Sequence, residues 1–221
     1  IAFTVSTDEK VAFPFYLRIP SWTQKAEVRV NGKKVSAAPV AGKYLCINRE
    51  WANGDRVELT LPMSLSMRTW QVNKNSVSVD YGPLTLSLKI AEKYVEKDSR
   101  ETAIGDSKWQ KGADPQKWPT TEIYPDSPWN YSLVLDKKEP LKNFKVIRKS
   151  WPADNYPFTV ASVPLEVKAI GRPVPEWKID ETGLCGVLPE EDAVKGDKEE
   201  ITLIPMGAAR LRISAFPNTK E

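Results

Sequence analysis

Phe13-Pro-Phe-Tyr-Leu-Arg-Ile-Pro-Ser-Trp22 is the first segment of the region that decides the fold. Three further segments of this region follow: Val28-Arg-Val-Asn-Gly32, Arg49-Glu-Trp51-Ala-Asn-Gly54-Asp55 and Val57-Glu-Leu-Thr-Leu-Pro62. In these segments apolar residues alternate with polar or mixed ones, which is typical of strands with one buried face. The Asn-Gly pairs between them tolerate the positive φ angles of tight hairpin turns. The region is therefore predicted to form short antiparallel strands joined by tight turns.

The same alternation continues along most of the chain. Further strands are predicted at Val77–Leu88, around the break at Gly82-Pro83, and then at 131–135, 144–147, 158–161, 165–169, 201–204 and 209–213. The 18 prolines and 11 glycines interrupt every long segment, so long helices have little room. We expect an all-β protein of two β-sandwich, jelly-roll-like units.

Two segments depart from this pattern. Residues 91–101 are highly charged, and they are the only stretch with room for a short helix: Ile90 and Tyr94 share a helical face, but no further apolar residue follows in phase. Residues 102–130 mix prolines and glycines with aromatic residues, which predicts an irregular loop. A loop of this length is usually functional or packed over another domain.

Composition excludes several classes of function. The 32 basic and 29 acidic residues are well mixed along the chain, unlike a nucleic-acid-binding footprint. No apolar run approaches the roughly 18 residues of a membrane-spanning helix. The chain has no His, so it cannot form a Ser-His-Asp triad or a His-ligated zinc site by itself. We therefore expect neither nucleic acid nor membrane as a partner.

The first residue and the two cysteines give weaker signals. The chain begins with the strand-like Ile1-Ala-Phe-Thr-Val5 and not with Met, which favours an excised piece of a longer protein. Cys46 lies in an apolar strand, so we expect a buried, unreactive thiol, and Cys185 lies in a predicted turn. A disulfide between them stays an open alternative.

No acidic residue lies in a recognisable catalytic motif. Glycosidases need two carboxyl groups about 5–9 Å apart around a sugar cleft, and the spacing of the 29 acids selects no such pair. Asp55, beside Gly54, and Asp126 are expected to bind their own backbone in turns. The sequence therefore predicts no catalytic residue, no metal ligand and no cofactor in this chain.

Five of the eight tryptophans fall into two groups. Trp22 and Trp51 lie at strand ends beside turn residues, where a large ring would close a sandwich, so we predict a structural role for them together with Gly54 and Asp55. Trp109, Trp118 and Trp129 lie in the irregular segment and are the candidates for exposure. They are candidate contacts to a sugar or to a docked domain, and a domain seam is the favoured alternative.

These residues also resemble a known family. A set of motifs is similar, in order and spacing, to the β-sandwich region that follows the catalytic barrel in glycoside hydrolase family 127, the β-L-arabinofuranosidase-like enzymes. These motifs are Leu17-Arg-Ile-Pro-Ser-Trp22, Val30-Asn-Gly32, Arg49 with Trp51, Gly54-Asp55 and Tyr81-Gly-Pro83. Four later segments resemble the accessory region of the same proteins. They are Pro125-Asp-Ser-Pro-Trp-Asn-Tyr131, Leu203-Ile-Pro-Met-Gly207, Leu211-Arg-Ile213 and Phe216-Pro217.

The resemblance implies a domain order and a role. It implies a first sandwich at 1–95, a second at 96–200 that includes the Trp- and Pro-rich loop, and strands within 201–221 that return to the first sandwich. In the family an (α/α)6 barrel carries a zinc-bound cysteine nucleophile and glutamate partners, and none of these can be mapped onto this chain. The resemblance therefore implies a non-catalytic fragment of an exported hydrolase, with the parent's own N-terminal catalytic domain as its partner.

Three functions stay open on the sequence. The first is an accessory module that supports and shapes a catalytic domain. The second is a carbohydrate-binding module, and the third is an independent hydrolase built on acids of the sandwich. A flat, solvent-facing row of aromatic rings would favour sugar binding, whereas rings merged into one apolar patch would favour docking.

Overall fold

A computed structural model describes residues 1–98, 114, 116–190 and 196–220 of the protein. The regular structure of these residues is β-strand, with a single-turn 3-10 helix at Met206–Ala208 and no α-helix in the described ranges. The prediction of an all-β fold is confirmed. In the same part of the chain, no helix is long and apolar enough to cross a membrane.

Sixteen strands lie within the described residues. They are β1 (Ala2–Thr4), β2 (Val11–Arg18), β3 (Glu27–Val30), β4 (Lys33–Lys34), β5 (Tyr44–Trp51), β6 (Arg56–Thr60), β7 (Leu65–Trp70), β8 (Ser76–Tyr81), β9 (Leu84–Leu88), β10 (Glu92–Lys97), β11 (Thr120–Pro125), β12 (Tyr131–Leu135), β13 (Lys145–Arg148), β14 (Leu165–Pro173), β15 (Glu199–Pro205) and β16 (Asn218–Lys220).

The chain divides into two compact units. Unit 1 consists of Ile1–Ser66 and Asp80–Pro83, and unit 2 consists of Met67–Val79 and Leu84–Glu221. These bounds differ from the sequence-based division, which put residues up to 95 in the first sandwich. The physical reason is strand pairing, because β7, β8 and β9 continue the sheet that contains β15. Turn residues mark where a strand ends but do not reveal its partner.

Unit 1 is a small β-sandwich. One sheet has the order β1-β6-β3-β4, and the other is the antiparallel pair β2-β5, aligned from Val11 opposite Trp51 to Arg18 opposite Tyr44. Alternate residues of both sheets meet in one apolar core, as the period-two pattern predicts. The buried members of this core are Leu17, Ile19, Val28, Val30, Leu45, Trp51, Val57 and Leu59.

The turn between β3 and β4 follows the predicted turn chemistry. Asn31 and Gly32 have φ angles of 50° and 77°, and Val30 pairs directly with Lys33. Two central residues with positive φ are what a type I′ hairpin turn requires, because its twist matches that of the flanking strands. This predicted hairpin is confirmed.

Unit 2 contains one large sheet and one separate strand pair. The sheet has the order β16-β12-β14-β15-β9-β8-β7, and β13 pairs with the first part of β14, beside the segment that pairs with β12. Strand β16 runs parallel to β12. The strands β10 and β11 form the separate antiparallel pair.

The last strands do pair with an earlier part of the chain. In β15, Leu203 lies opposite Leu88 of β9, and Phe216 forms an isolated bridge with Val77. These partners fall within residues 1–95 but belong to unit 2, and not to the sandwich of unit 1.

Two local predictions for residues 91–130 are wrong. Instead of a helix, Glu92–Lys97 form β10, which pairs residue by residue with Thr120–Pro125. The partner strand lies inside the segment that was expected to be irregular. Cross-strand pairing outweighs a helical pattern that rests on only two apolar residues.

Candidate functional site

The carboxylate of Asp55 joins two turns of unit 1. Its Oδ1 accepts a hydrogen bond from Asn31 Nδ2 at 2.7 Å, and its Oδ2 accepts one from the backbone N–H of Ala52 at 2.9 Å. A guanidinium nitrogen of Arg49 lies 3.4 Å from the same Oδ2. Asn31 Oδ1 accepts in turn from the backbone N–H of Arg56 at 2.8 Å. Both carboxylate oxygens are thus engaged by protein groups.

These contacts define the electrostatics of Asp55. The hydrogen bonds from Ala52 N–H and Asn31 hold the pKa of this carboxyl below its usual value, with a further contribution from Arg49, although burial acts in the opposite direction. A carboxyl kept ionised and already bonded on both oxygens is a poor proton donor. The geometry therefore supports a turn-stabilising role for Asp55.

Trp51 lies in the core of the same unit. Its side chain is 0% exposed, and its indole N–H donates to the backbone oxygen of Phe13 at 2.9 Å. The Phe13 ring stacks on it at 5.7 Å between centroids, and the Arg49 guanidinium lies 5.0 Å from its centroid. Burial of this ring agrees with the prediction from the sequence.

The other two predicted structural residues contribute differently. Trp22 is half-buried in the turn that follows β2. Gly54 has a φ angle of 84°, and its N–H donates to the backbone oxygen of Val5 at 2.9 Å. A side chain at this position would meet no atom within 4 Å, so the need for Gly there is conformational and not steric.

A groove in unit 2 contains Trp129, one of the three predicted exposed aromatic residues. Its volume is about 340 Å³, within the range of ligand pockets in proteins. Its walls are mostly apolar and include one tyrosine and two arginines. The lining residues that matter below are Trp129, Tyr124, Ile179, Leu184, Arg210 and Arg212.

Hydrogen bonds outside the groove hold Trp129 in place. The side-chain amide of its neighbour Asn130 donates to the backbone oxygens of Val174 and Trp177 at 3.0 and 3.1 Å. The rings of Trp129 and Trp177 meet edge to face at 5.2 Å. Trp177 is buried and donates from its indole N–H to the backbone oxygen of Gly186 at 3.0 Å. The aromatic wall of the groove is therefore fixed by packing behind it.

The two arginines of the groove have different surroundings. Arg210 is paired with Glu92: its backbone N–H donates to Oε1 at 3.0 Å, and its Nη1 lies 3.8 Å from Oε2. Arg212 donates from Nε to the backbone oxygen of Ala209 at 2.8 Å, and no carboxylate in the described part of the chain forms an ion pair with it. The positive charge of Arg212 is thus the less compensated of the two.

The acidic residues near the groove are already engaged. Glu92 also accepts a hydrogen bond from the hydroxyl of Tyr94 at 2.6 Å, and Glu122 accepts one from the hydroxyl of Tyr124. These bonds raise the pKa of both tyrosines, because the carboxylate favours the protonated phenol. Neither carboxylate is available as an unpartnered acid or base.

Glu166 is the most enclosed acid that carries lysine partners. Its Oε1 lies 2.6 Å from the Nζ atoms of both Lys89 and Lys149. Burial raises the pKa of this carboxyl, but the hydrogen bonds from the two lysines outweigh it and leave the pKa below its usual value. Such a compensated cluster ties β14 to neighbouring segments and is structural in character.

A second, more polar cavity of about 530 Å³ lies elsewhere in unit 2. Its lining includes Lys74, Asp136, Lys137 and Glu190, and Lys74 Nζ lies 2.8 Å from a Glu190 carboxylate oxygen. The charges of both signs are mixed within it. No group of three or more Cys, Asp or Glu among the described residues is placed to hold a metal ion.

The three tryptophans of the irregular segment differ in their exposure and location. Trp118 is 72% exposed and does not line the groove, whereas Trp129 is half-buried and does. Trp109 lies outside the described residues. Of these two tryptophans, the groove thus contains only Trp129.

The sequence analysis missed an exposed aromatic loop between β13 and β14. Trp151, Tyr156 and Phe158 are all exposed there, with the rings of Tyr156 and Phe158 5.5 Å apart and edge to face. The Trp151 indole N–H donates to Asn155 Oδ1 at 2.6 Å, so the loop is internally bonded. Three aromatic residues within eight positions, with Pro152 and Pro157 between them, were the available signal.

The prediction of a buried Cys46 is wrong. Both cysteines are free and exposed, with Cys46 in unit 1 and Cys185 in unit 2. Strand alternation explains the error, because Leu45 points into the core and the next residue of β5 must point outward. Apolar neighbours along the chain therefore did not imply burial of the thiol.

A comparison with family models finds a match in the first part of the chain. Residues 1–63 match the middle domain of the GH127 β-L-arabinofuranosidases. The matched range nearly coincides with the first segment of unit 1, Ile1–Ser66. A sequence comparison with curated proteins finds no match.

Solved structures extend the similarity to almost the whole chain. A GH127 β-L-arabinofuranosidase from Geobacillus stearothermophilus T6 is 22% identical over 99% of this chain, with a TM-score of 0.57. A GH127 β-arabinofuranosidase is 19% identical over 96%, with a TM-score of 0.53, and a glycoside hydrolase is 22% identical over 94%, with a TM-score of 0.53. The chain spans only 28–29% of the length of these structures.

At these identities the solved structures show a shared fold, and the family model matches residues 1–63 only. The resemblance to glycoside hydrolase family 127 is therefore confirmed: residues 1–63 match the GH127 middle domain, and nearly the whole chain shares the fold of a part of GH127 enzymes.

Proposed function

We propose that this chain is a non-catalytic accessory region of a β-L-arabinofuranosidase-like glycoside hydrolase, and that it supports and shapes a catalytic domain N-terminal to it. The match of residues 1–63 to the GH127 middle domain is the observation that carries the proposal. That the chain spans less than a third of the similar structures supports a role as one part of a larger enzyme.

The state of the acidic residues supports a non-catalytic role. Hydrolysis of a glycoside needs one carboxyl group that can donate a proton and a second that acts as nucleophile or base. The well-enclosed acids Asp55 and Glu166 have lowered pKa values and accept hydrogen bonds from fixed partners. The same argument counts against an independent hydrolase built on these acids.

One face of unit 1 supports docking to a partner domain. The outward residues of β2 and β5 include Tyr16, 61% exposed, and Tyr44, 67% exposed. Tyr16 lies opposite Cys46, and Arg18 opposite Tyr44, so the two tyrosines are diagonal neighbours on this face. Tyrosine and arginine are enriched in protein interfaces. The proposed partner of this face is the catalytic domain of the same protein.

The remaining properties of the parent are part of the same proposal. Its substrate would be a β-L-arabinofuranoside, as the names of the similar enzymes indicate, and it would be exported from the cell. This fragment would need no cofactor of its own. Carbohydrate binding is the second candidate function, and the groove around Trp129 is the observation that favours it.

The test compares the purified chain with its full-length parent on aryl β-L-arabinofuranosides. We expect turnover by the parent and none by the chain alone. In the parent, the double substitution Tyr16→Ser and Tyr44→Ser should lower the thermal stability of the catalytic domain. Lys33→Ser, at an exposed position of the other sheet, is the matched control and should have no such effect.

Two outcomes would contradict the proposal. Turnover by the purified chain that is abolished by replacing one of its own carboxylates would show an independent hydrolase. A parent whose catalytic domain has the same activity and stability when this region is deleted would show that no support is supplied.

A further inference from the structure

We propose that the groove around Trp129 in unit 2 binds a sugar ring that carries a carboxylate, such as a hexuronate. This site is distinct from the Tyr16 and Tyr44 face, and the inference does not rest on the proposed accessory function. It rests on three properties of the groove, which are its preformed aromatic wall, its apolar composition and its unbalanced positive charge.

The aromatic wall suits a ring-shaped ligand. Trp129 is held by its contact with buried Trp177 and by the hydrogen bonds of Asn130, so the wall exists before any ligand enters. Tyr124 supplies a phenol at the same groove. Small-molecule sites typically combine such apolar and aromatic walls with a few placed polar groups. An aromatic ring can stack on the C–H face of a sugar, while guanidinium groups donate hydrogen bonds to its oxygens.

A second wall of the groove, on the side of Leu184, is also held in place. In the hairpin that carries Ile179 and Leu184, Asp180 N–H donates to the Leu184 oxygen at 2.8 Å, and Ile179 bridges to Cys185. The Asp180 carboxylate accepts from the backbone N–H groups of Thr182 and Leu184. Hydrogen bonds within the hairpin thus hold the apolar side chains of this wall at the groove.

The charge of the groove selects a carboxylate. Arg210 and Arg212 line it, and its described lining contains no acidic residue. Glu92 compensates Arg210 from outside, whereas Arg212 forms no ion pair with a described residue. The bond from Arg212 Nε to Ala209 orients the guanidinium and leaves its terminal nitrogens as donors. A planar guanidinium with two such donors matches a carboxylate in a bidentate arrangement.

The second cavity of unit 2 lacks both of these features. That cavity contains Lys74, Lys137, Asp136 and Glu190, so its charges compensate one another, and its described lining contains no aromatic residue. Neither a stacking wall nor an unbalanced cation is therefore available to a sugar acid there. The two features coincide at the Trp129 groove.

The test measures binding to the purified chain by isothermal titration calorimetry, with galacturonate and glucuronate as probes. Galactose and glucose are the matched neutral sugars, and acetate is the matched carboxylate without a ring. We expect the uronates to bind about tenfold more tightly than the neutral sugars, because a charge-assisted hydrogen bond contributes at least that factor. Acetate should bind more weakly than either uronate, and added salt should weaken uronate binding.

Substitutions locate the site. Arg212→Gln should abolish the preference for uronates and leave the neutral sugars unaffected, whereas Trp129→Ala should weaken every sugar. Arg18→Gln, an exposed arginine of unit 1, and Trp118→Ala, an exposed tryptophan outside the groove, are the matched controls and should change nothing. Because Trp129 packs on Trp177, circular dichroism checks its variant, and Arg212→Gln tests the proposal if Trp129→Ala does not fold.

Several results would overturn the proposal. These are no binding of uronates at millimolar concentration, equal binding of uronates and neutral sugars, equal binding of acetate, and uronate binding that survives Arg212→Gln. Loss of affinity in the Arg18→Gln control would place the site elsewhere. The groove could instead hold a protein segment. In that case the catalytic domain, and not the sugars, would protect Trp129 from a fluorescence quencher, and this result would contradict the uronate proposal.

Discussion

The contacts between aromatic rings differ between unit 1 and unit 2. In unit 1 the rings of Phe13, Phe15 and Trp51 form a connected set at the core, with Phe13 and Phe15 each 5.7 Å from Trp51 between ring centroids. In the described part of unit 2 the ring contacts are separate pairs, Trp129 with Trp177 and Tyr156 with Phe158. Aromatic content alone therefore does not distinguish a core from a binding surface.

The charged residues show the same contrast. In unit 1 the Asp55 carboxylate is bonded on both oxygens and closes a network between two turns. In unit 2 Arg212 lines a groove without an acidic partner among the described residues. A closed network favours a stability function, and an open charge at a groove favours recognition.

The largest expected effect is the loss of the central ring of unit 1. Trp51→Ala removes a fully buried side chain and its hydrogen bond to Phe13, so we expect unit 1 to lose about 3–5 kcal/mol of unfolding free energy. Urea unfolding followed by circular dichroism measures it. Trp118→Ala is the control in unit 2, and its midpoint should stay unchanged because that ring is exposed. Equal unfolding midpoints for the two variants would show that the buried ring of Trp51 contributes no more to stability than the exposed ring of Trp118.

A smaller effect is expected from the backbone of unit 1. Gly54 has a φ angle of 84°, and a β-carbon added there would meet no atom within 4 Å, so Gly54→Ala should cost about 1–2 kcal/mol through conformational strain alone. Gly207 of unit 2 also has free space but no positive φ, and Gly207→Ala should cost much less. Thermal unfolding of the two variants compares them. A similar loss in both would show that positive φ is not what requires glycine at Gly54.

The smallest expected effect concerns acid stability. The pKa of Asp55 is lower in the folded state than its reference value of 3.8, so its contribution is present above that value and is lost as the pH falls through the folded-state pKa. Asp55→Asn should therefore lower the unfolding midpoint at neutral pH and make it less sensitive to acid. The amide keeps one acceptor oxygen, which limits the loss. Chemical unfolding at neutral and acidic pH measures both changes.

Asp180 is the matched carboxylate of unit 2. Its pKa is also lowered, by the hydroxyl of Thr182 and the backbone N–H of Leu184, but all these partners lie within four residues. Asp180→Asn should change the midpoint less than Asp55→Asn at neutral pH. A larger change for Asp180→Asn would mean that the network between the turns of unit 1 adds nothing.

Local pattern was sufficient to predict much of unit 1. The alternation in 13–19 and 57–61 and the Asn31-Gly32 turn predicted strands, turn type and the burial of Trp51, because each depends on neighbours in the sequence. The burial of Cys46 in β5 was predicted wrongly, because the apolar residues around it hid the alternation of inward and outward side chains. The family resemblance was also visible there, since residues 1–63 contain most of the first set of motifs that suggested it.

Unit 2 was less predictable because its structure depends on distant partners. Nothing near Glu92–Lys97 in the sequence indicates that Thr120–Pro125 will pair with it, and this pairing overrides a weak helical pattern. The groove likewise combines Trp129 with Arg212, which are far apart in the sequence. Trp129 was a candidate from its surroundings, but Arg212 had no local signal that set it apart from the other basic residues.

The three-residue strand β16 has a consequence for handling this protein. It lies at one end of the large sheet and covers β12, all five residues of which are buried. Removing Asn218–Lys220 would expose the backbone N–H and C=O groups of an apolar strand, and such an edge is a template for association with other chains. A truncation before Asn218 should therefore show concentration-dependent aggregation, whereas the short polar strand that is present keeps this edge protected.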